Sequence, residues 1–321
     1  MADIQLLPKR EAPWCGIGVS GQWDDYREAL RDSQLDFNVV PKDAKVEMQL
    51  PALGTFMSFY ETVPGVQVNI RESDNRILGC VSSQYGIVQN DMAFSLLEPF
   101  TQAGGIITNA GMTEQGLVFM VLRMRQENIL GDEWNFDVMC TNSFNGSFPC
   151  ALMIVPTRII CQNMYRKLMG GRSDSILHVR HGRLADDRIK AAKTVTGGMM
   201  SYIAAFKNTL DHVRYGTLLG RQEIMDAILP IVFPYPKLGG TREQISIQRV
   251  DELREEFMDK YYDASDNRKF HGNGLGFINA YYDYLSHRSP TKNMPGSWED
   301  RRLSGLVSGN DVRMSAIKAA M

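Results

Sequence analysis

Between Val66 and Val155 the chain alternates apolar and polar residues over short stretches that are separated by turn residues. This period of two predicts β-strands. Most connections are too short for parallel crossovers, so we expect neighbouring strands to pair antiparallel. One helix, expected over 92–102, can be capped by Asn90 or Asp91 and would pack on one face of the sheet. The predicted strands cover 66–70, 76–81, 106–110, 117–125, 134–141 and 149–155.

Beyond Asp186 the alternation disappears, and apolar residues recur at three and four, which is the helical period. The predicted helices cover 188–212, 222–229, 243–262, 273–287 and 310–320, the second of them stopped by Pro230. A chain of 321 residues is long enough for two lobes. We therefore predict an α+β fold. An N-terminal antiparallel sheet lobe with a packed helix (61–187) should precede an all-helical C-terminal lobe (188–321).

The first sixty residues predict a wrapped extension (1–60) rather than a domain of their own. Asp24 to Asp32 should form a short helix, and Leu35 to Val40 alternates as a strand does. Trp14 stands beside a proline and two nearby glycines. We interpret this indole as an anchor in the core rather than a platform on which bases stack.

The composition excludes several classes of protein. With 44% hydrophobic and 22% charged residues the chain is globular rather than disordered. It has no apolar run of membrane-spanning length and no signal-peptide pattern at its start, which predicts a cytoplasmic protein. Its five cysteines are scattered without a C-x-x-C pair, so neither a disulfide framework nor a zinc site is indicated. No phosphate-binding loop, dinucleotide motif or hydrolase motif occurs, so we expect no cofactor and little support for an enzyme.

Positive charge is concentrated between Pro156 and Lys193. This basic segment carries nine Lys and Arg against three Asp, whereas the whole chain has a net charge of −2. A locally basic segment in an otherwise acidic protein is typical of an anion-binding face, most often one for nucleic acid. Gly170-Gly171 lies among these charges, where a loop can bring its backbone N–H groups close to a phosphate.

Within the basic segment, we expect Arg158 to be held rigidly between the end of a strand and a following helix. Tyr165 is the best candidate for stacking on a base. A core position for Tyr165, and a salt-bridged surface for the cations, are the competing interpretations. The predicted nucleic-acid-binding residues are Arg158, Tyr165, Arg166, Lys167, Arg172, His178, Arg180, His181, Arg183, Arg188 and Lys190.

Other polar residues of this region have less specific patterns. His178 and His181 are three apart, which would place them on one helical face, but phosphate contacts or packing are favoured over a metal site. Cys161 is favoured as a buried structural residue over a nucleophile. Gln162, Asn163 and Asn145 could contact a base edge, although holding a turn is the favoured role, because Asn-Gly is common in two-residue hairpin turns.

Seven segments in a fixed order give the chain a resemblance to phage/plasmid-like proteins of unknown function, found in tailed phages, prophages and plasmids. The segments are 14–18, 35–39, 85–90, 142–147, 156–163, 178–181 and 276–280, the last leading to Tyr284 and His287. Where that family usually carries His-Asp-Gly-Ser, this chain has Phe144-Asn145-Gly146-Ser147, which removes both ionisable groups. The resemblance implies a setting in phage-type DNA metabolism but no mechanism.

The leading hypothesis is a protein that binds nucleic acid without reading its sequence, with single-stranded DNA binding or annealing favoured. The predicted hairpin sheet backed by a helix, followed by a basic helix, is similar in element order to the core of single-strand annealing recombinases. Such proteins act as homo-oligomers, because affinity accumulates along the strand. Two alternatives stay open. One is an enzyme acting on a nucleotide or small phosphorylated substrate, with His178 or His181 as acid or base; the other is an interaction protein that modulates a host or phage partner.

Overall fold

The structure, a computed structural model, describes residues 12–52, 55–158, 163–164, 175–179, 181–182, 198–216, 220–235, 241–287, 297, 300–301 and 303 of the chain. The strands are β1 (Val19–Trp23), β2 (Val39–Ala52), β3 (Thr55–Arg71), β4 (Ile77–Ser82), β5 (Ile106–Met112), β6 (Val118–Ile129), β7 (Asp132–Asn142), β8 (Cys150–Arg158), β9 (Asn163–Met164) and β10 (Ser175–Val179). The helices are α1 (Tyr26–Asp32), α2 (Asn90–Phe94), α3 (Glu98–Gln102), α4 (Gly198–Gly216), α5 (Arg221–Glu223), α6 (Leu229–Val232), α7 (Thr241–Asp263) and α8 (Gly274–His287).

The larger of two sheets has seven strands in the order β1-β5-β6-β7-β8-β10, and β9 also pairs with β8. Every pairing is antiparallel. The smaller sheet has the order β2-β3-β4 and is also antiparallel. The predicted antiparallel architecture is therefore confirmed, and each strand predicted between Val66 and Val155 lies within or overlaps an observed one.

Both faces of the larger sheet are covered by apolar residues, and alternate side chains of each central strand enter different clusters. Met120 and Leu122 of β6 face the cluster beneath the helices, whereas Phe119 and Val121 face the other side. The second cluster packs against Trp14, which is 1% exposed. Trp14 is thus the core anchor that the sequence predicts. A strand buried on both faces is apolar at nearly every position, as β8 is.

The N-terminal residues contribute directly to both sheets, which corrects the prediction of a wrapped extension over 1–60. Strand β1 forms the edge of the larger sheet by pairing with β5. Helix α1 is confirmed, and Asp25 caps it through a hydrogen bond from the backbone N–H of Arg27. The predicted strand at 35–40 begins only at Val39 and continues to Ala52. The predicted boundary at residue 60 falls inside β3.

The helix predicted over 92–102, between β4 and β5 in the chain, is confirmed, although it is not one regular helix. A 3-10 turn, Ser95–Leu97, joins α2 to α3, and Pro99 occupies the first turn of α3. Proline is tolerated there because the first N–H groups of a helix have no intrahelical partner. Phe94 and Phe100 of this stretch belong to the cluster beneath the helices.

The described elements between 198 and 287 are helical, but they share the core of the sheet rather than form an independent lobe. Phe206 of α4 contacts Trp134 and Phe136 of β7, with ring centroids 5.3 and 5.5 Å apart. The prediction of a separate all-helical lobe does not describe this arrangement. In the described part of the chain, no helix is long and apolar enough to cross a membrane.

Two predicted helix boundaries need comment. The stop at Pro230 is wrong, because Pro230 lies in the first turn of α6, which follows α5 and the π-helical turn Ile224–Ile228. The helix predicted over 188–212 is described as α4, Gly198–Gly216. Residues 188–197 and the helix predicted over 310–320 lie outside the described residues.

Candidate nucleic-acid interface

The basic segment leaves the larger sheet at β8 and returns to the same strand. Strand β9 pairs with Thr157 and Arg158 at the end of β8, and β10 pairs with residues 150–153 at its beginning. Both described strands of the segment therefore lie along β8 rather than on different elements. The described residues that follow Arg158 begin with β9, whereas the sequence predicts a short helical segment in this region.

His178 lies in strand β10, so the predicted helical face shared by His178 and His181 is wrong. His178 is exposed and stands opposite Ala151, on the side of the sheet that carries the Trp14 cluster. His181 follows the strand and is partly buried. Among the described residues no group of three His, Cys, Asp or Glu side chains is arranged to hold a metal ion.

His181 packs against the loop that follows β4. Its ring stacks on Tyr85 with centroids 4.8 Å apart and planes 15° from parallel. Both ring nitrogens are buried and lack a hydrogen-bond partner in the described part of the chain. Burial lowers the pKa of His181, and the nearby backbone of Gly86 and Phe148 offsets this only in part. A neutral, buried ring is suited to packing. As pH falls through about 6.5, the ordinary pKa of histidine, this residue should therefore reduce stability.

Gly86 allows the end of the basic segment to approach this loop. A Cβ atom at Gly86 would lie 2.4 Å from the carbonyl oxygen of Gly182, which is too close for any side chain. Tyr85 is itself fixed by a 2.8 Å hydrogen bond from its hydroxyl to the carbonyl oxygen of Ser143. Residues 181–182 follow β10 in the chain. Through their contacts with Tyr85 and Gly86 they are also linked to the connection between β7 and β8.

Arg158 is a buried structural residue, which corrects its assignment as a nucleic-acid contact. The side chain is 0% exposed, and its guanidinium donates to Asp132 Oδ2 over 2.9 Å. A second hydrogen bond of 2.7 Å reaches the carbonyl oxygen of Asp266, and Lys269 also pairs with Asp132. A phosphate has no access to a guanidinium enclosed in this way. Arg158 is held rigidly, as predicted, but its role is to link the larger sheet to the segment between α7 and α8.

Most of the other predicted contacts lie outside the described residues, namely Tyr165, Arg166, Lys167, Arg172, Arg180, Arg183, Arg188 and Lys190. The same is true of Cys161 and Gln162. Asn163 is described in β9, where it pairs with Arg158 in the ladder. Of the predicted contacts, the structure thus places one exposed residue, His178, on the edge strand of the sheet.

Asn145 holds the connection between β7 and β8, as the turn interpretation predicts. Its side-chain amide donates to the carbonyl oxygen of Gln115 over 2.9 Å, and its oxygen accepts from the backbone N–H of Ser147. The connection is longer than the predicted two-residue turn, since it spans 143–149. Gly146 has a φ of +75°, a conformation that glycine adopts without strain.

The two described cysteines of the larger sheet are unsuited to nucleophilic chemistry. Cys140 and Cys150 are fully buried in the cluster beneath the helices. Burial raises the pKa of Cys150 to about 12 and raises that of Cys140 as well, so both remain thiols at neutral pH.

A buried polar cluster on the Trp14 side of the sheet escapes the sequence-based prediction. Asn135 and Asp137 alternate along β7, and Thr157 stands opposite Asn135 on β8. Asn135 Oδ1, Asp137 Oδ2 and Thr157 Oγ1 are buried without a hydrogen-bond partner among the described residues. The other Asp137 oxygen accepts from Arg123 over 3.2 Å. The alternation of Asn135, Phe136 and Asp137 in the sequence is the signal that could have indicated this cluster.

Asp137 should make the stability of the protein depend on pH. Burial raises its pKa to about 6 against an ordinary value of 3.8, and Arg123 opposes this shift. Because the folded-state pKa is the higher one, stability should fall as pH rises from about 4 to 6, by at most about 1.4 kcal/mol per pH unit. The difference in free energy of unfolding between Asp137→Asn and wild type should shift in favour of the variant by roughly 1–3 kcal/mol as pH rises from 4 to 8.

Urea unfolding of both proteins at several pH values measures this effect. Exposed Asp43 provides the control, because Asp43→Asn changes the same type of group outside the core. The contribution of His181 cancels, since that residue is present in all three proteins. Parallel pH profiles for wild type and Asp137→Asn would contradict the burial of an ionisable carboxyl at this position.

Comparison with known proteins places the chain in a family but assigns no activity. No curated protein and no solved structure matches it. The family model described as Domain of unknown function (DUF932) matches residues 77–306, from the start of β4 to just beyond the last described residue. This match covers more than half of the chain and confirms the resemblance to a family of unknown function. The chain therefore belongs to the DUF932 family.

Proposed function

We propose that this protein binds nucleic acid without reading its sequence, with single-stranded DNA as the favoured ligand, and that it acts as a homo-oligomer. The proposal includes a setting in phage- or plasmid-type DNA metabolism in the cytoplasm. Its ligand face is the edge of the larger sheet at β8 and β10. The observation that carries the proposal is the pairing of both described strands of the basic segment with β8.

This arrangement supports the proposal because it limits where the segment leaves and rejoins the sheet. With Arg158 neutralised inside the protein, the sequence from 159 to 193 still contains eight Lys and Arg against three Asp. Ten residues between β9 and β10 carry Arg166, Lys167 and Arg172, and both ends of this connection lie on one strand. Cations gathered at one edge would attract a polyanion without discriminating between bases.

Exposed His178 suits the same face. It belongs to the edge strand β10, and a neutral or charged imidazole can donate a hydrogen bond to a phosphate oxygen. Backbone contacts of this kind position a strand but carry no sequence information. Affinity should therefore depend on salt far more than on base composition.

Binding to a fluorescent single-stranded oligonucleotide should be tight at low salt and weaken steeply as salt is added. With about six phosphates contacted, affinity should fall roughly 300-fold between about 50 and 200 mM salt. Double charge reversal, Arg166→Glu with Lys167→Glu, should abolish binding at both concentrations. Fluorescence anisotropy measures each affinity, and oligonucleotides of different sequence should give closely similar values.

The matched control places the same change of charge elsewhere on the protein. Arg76 is exposed just before β4 and Arg249 is exposed on α7, and Arg76→Glu with Arg249→Glu alters net charge equally. This control should retain most of the binding. Absence of binding by the wild-type protein at low salt would contradict the proposal, as would equal losses in the two double variants.

The alternative of an enzyme acting on a small phosphorylated substrate gains no specific support from the described residues. His178 lies exposed on a strand, and His181 is packed against Tyr85 with a lowered pKa. A general acid or base needs access to its substrate as well as a suitable pKa. We therefore do not extend the proposal to catalysis.

A further inference from the structure

The hairpin formed by β2 and β3 extends well beyond the third strand of its sheet. Strand β4 pairs only with residues 66–70 of β3, whereas β2 and β3 remain paired as far as Ala52 and Thr55. We call residues 45–62 the β-arm. Eight residues of β2 lie in it, which corresponds to a length of about 27 Å.

One face of the β-arm is apolar and uncovered. Residues that stand directly opposite in an antiparallel pair project from the same face, so the pairs Met48–Phe59 and Leu50–Met57 share a face with Val46. These five side chains are 41–66% exposed. They present roughly 450 Å² of apolar surface, since large apolar side chains each offer about 150–200 Å² when fully exposed. A patch of this size usually marks an interaction site.

The rest of the described chain does not stabilise the β-arm. Neither apolar core cluster contains a described residue of the arm, and no described hydrogen bond or ion pair joins an arm side chain to the body. An isolated two-stranded hairpin is marginally stable in water at best. The apolar face therefore needs a partner surface to remain ordered.

Charge restricts what that partner can be. The β-arm contains one basic residue, Lys45, and two acidic residues, Glu47 and Glu61, so its net charge is negative. Nucleic acid and anionic lipid surfaces would be repelled rather than attracted by such a sequence. The partner must offer an apolar face with little charge, and the β-arm itself has one.

We propose that the β-arm binds a second copy of this chain, apolar face against apolar face. Glu61 is the charged residue on that face, and it lies at the base of the arm. In a two-fold arrangement with antiparallel arms, each Glu61 would lie beside the partner's tip, away from the other Glu61. Apolar contacts would then meet without repulsion between like charges.

The backbone edges of the arm favour packing by the face rather than extension of the sheet. Pro51 lies within the arm on β2, the outer strand of the smaller sheet, and Pro41 and Pro64 lie just beyond the base of the arm. Proline cannot donate a backbone hydrogen bond, so such residues block pairing with a further strand. The uncovered apolar face has no comparable protection.

The area is sufficient for a dimer if both faces of the arm are covered. Phe56 and Tyr60 project from the opposite face and are 69% and 70% exposed. With these two rings each arm offers roughly 700 Å² of apolar surface, and two arms reach the roughly 1,200–2,000 Å² of a standard interface. Each arm would therefore contact the partner's arm by one face and the partner's body by the other.

This inference rests on the homo-oligomeric part of the proposed function and identifies the surface responsible. The test is the mass of the full chain in sedimentation and light-scattering measurements without nucleic acid. Wild type should self-associate at micromolar concentrations. The double variant Met48→Asp with Phe59→Asp should raise the dissociation constant at least tenfold and yield monomers.

The control variant adds the same charge outside the β-arm, with Ser83→Asp and Gln84→Asp at exposed positions of the turn after β4. It should associate nearly as wild type does. Circular dichroism should show the same folded spectrum for all three proteins, because the substituted positions lie outside both cores. A monomeric wild type at 100 μM or above, or equal association of the two variants, would overturn the inference.

Single-stranded DNA binding is measured on the same preparations, so that the two proposals fail separately. A wild type that is monomeric but binds DNA overturns the self-association inference alone. A wild type that associates through the arm without binding DNA overturns the ligand part of the proposed function and supports this one.

Discussion

Replacing Arg158 with methionine should reduce the free energy of unfolding by about 3–5 kcal/mol, because breaking a buried ion pair leaves an uncompensated charge in the interior. Arg158 is fully buried between Asp132 and Asp266, and its guanidinium lies 5.4 Å from the ring centroid of Phe270. Methionine can fill much of the volume but can donate nothing to either aspartate. Urea unfolding of Arg158→Met measures the loss.

Three further variants separate the effect of the ion pair from that of packing. Arg125 belongs to an exposed pair with Glu127, so Arg125→Met should cost no more than about 1 kcal/mol. Combining Arg158→Met with Asp132→Asn should cost less than the sum of the two single changes, since the buried carboxylate is removed together with its partner. Lysine at position 158 should fall between wild type and methionine, because it keeps the charge but lacks the planar fork.

The same experiment tests the corrected role of this residue. If Arg158 contacted nucleic acid rather than Asp132 and Asp266, Arg158→Met would weaken DNA binding and leave unfolding unchanged. Because the guanidinium is buried, we expect the opposite result: Arg158→Met should lower the free energy of unfolding, and the folded protein should still bind DNA.

Local patterns predicted the antiparallel sheet because alternation and short turns act within a few residues of each other. Strands β5 to β8 each coincide with such an alternating stretch. The pairing of β1 with β5 had no local signal, because the partners are more than eighty residues apart and β1 lies before the smaller sheet. Tertiary contacts of this kind decide which strand forms an edge, and the sequence near Val19 does not express them.

The candidate site shows the same division between local and distant information. The high density of cations in 158–193 is visible in the sequence, but the partners of an individual cation are not. Asp132 precedes Arg158 by 26 residues and Asp266 follows it by 108, and both reach it only through the fold. The two histidines were assigned to a helix because their spacing of three fits one, whereas pairing with β8 makes His178 part of a strand. The exposure of the β-arm was also hidden, because its alternating residues suit a half-buried strand equally well.

Replacing Phe206 with alanine should cost about 3–5 kcal/mol of stability, the usual effect of removing a large aromatic side chain from a core. Phe206 is fully buried and meets Trp134 and Phe136 edge to face, with Tyr202 stacked 6.3 Å away. Phe206→Leu should cost less, because it leaves a smaller cavity. Exposed Asn208 on the same helix provides the control, since Asn208→Ala changes α4 without altering the core.

The way in which Phe206→Ala unfolds should show whether the helices and the sheet share one core. Because Phe206 links α4 to β7, the cavity should weaken both, and amide hydrogen exchange should increase in α4 and in β7 together. A single unfolding transition at lower urea concentration is expected, with probes of helix and sheet coinciding. Independent melting of 198–287, with unchanged protection in β6 to β8, would instead restore the separate helical lobe that the sequence predicts. The two edge-to-face contacts of Phe206 with the sheet favour the shared core, because a cavity at one position then affects side chains of both layers.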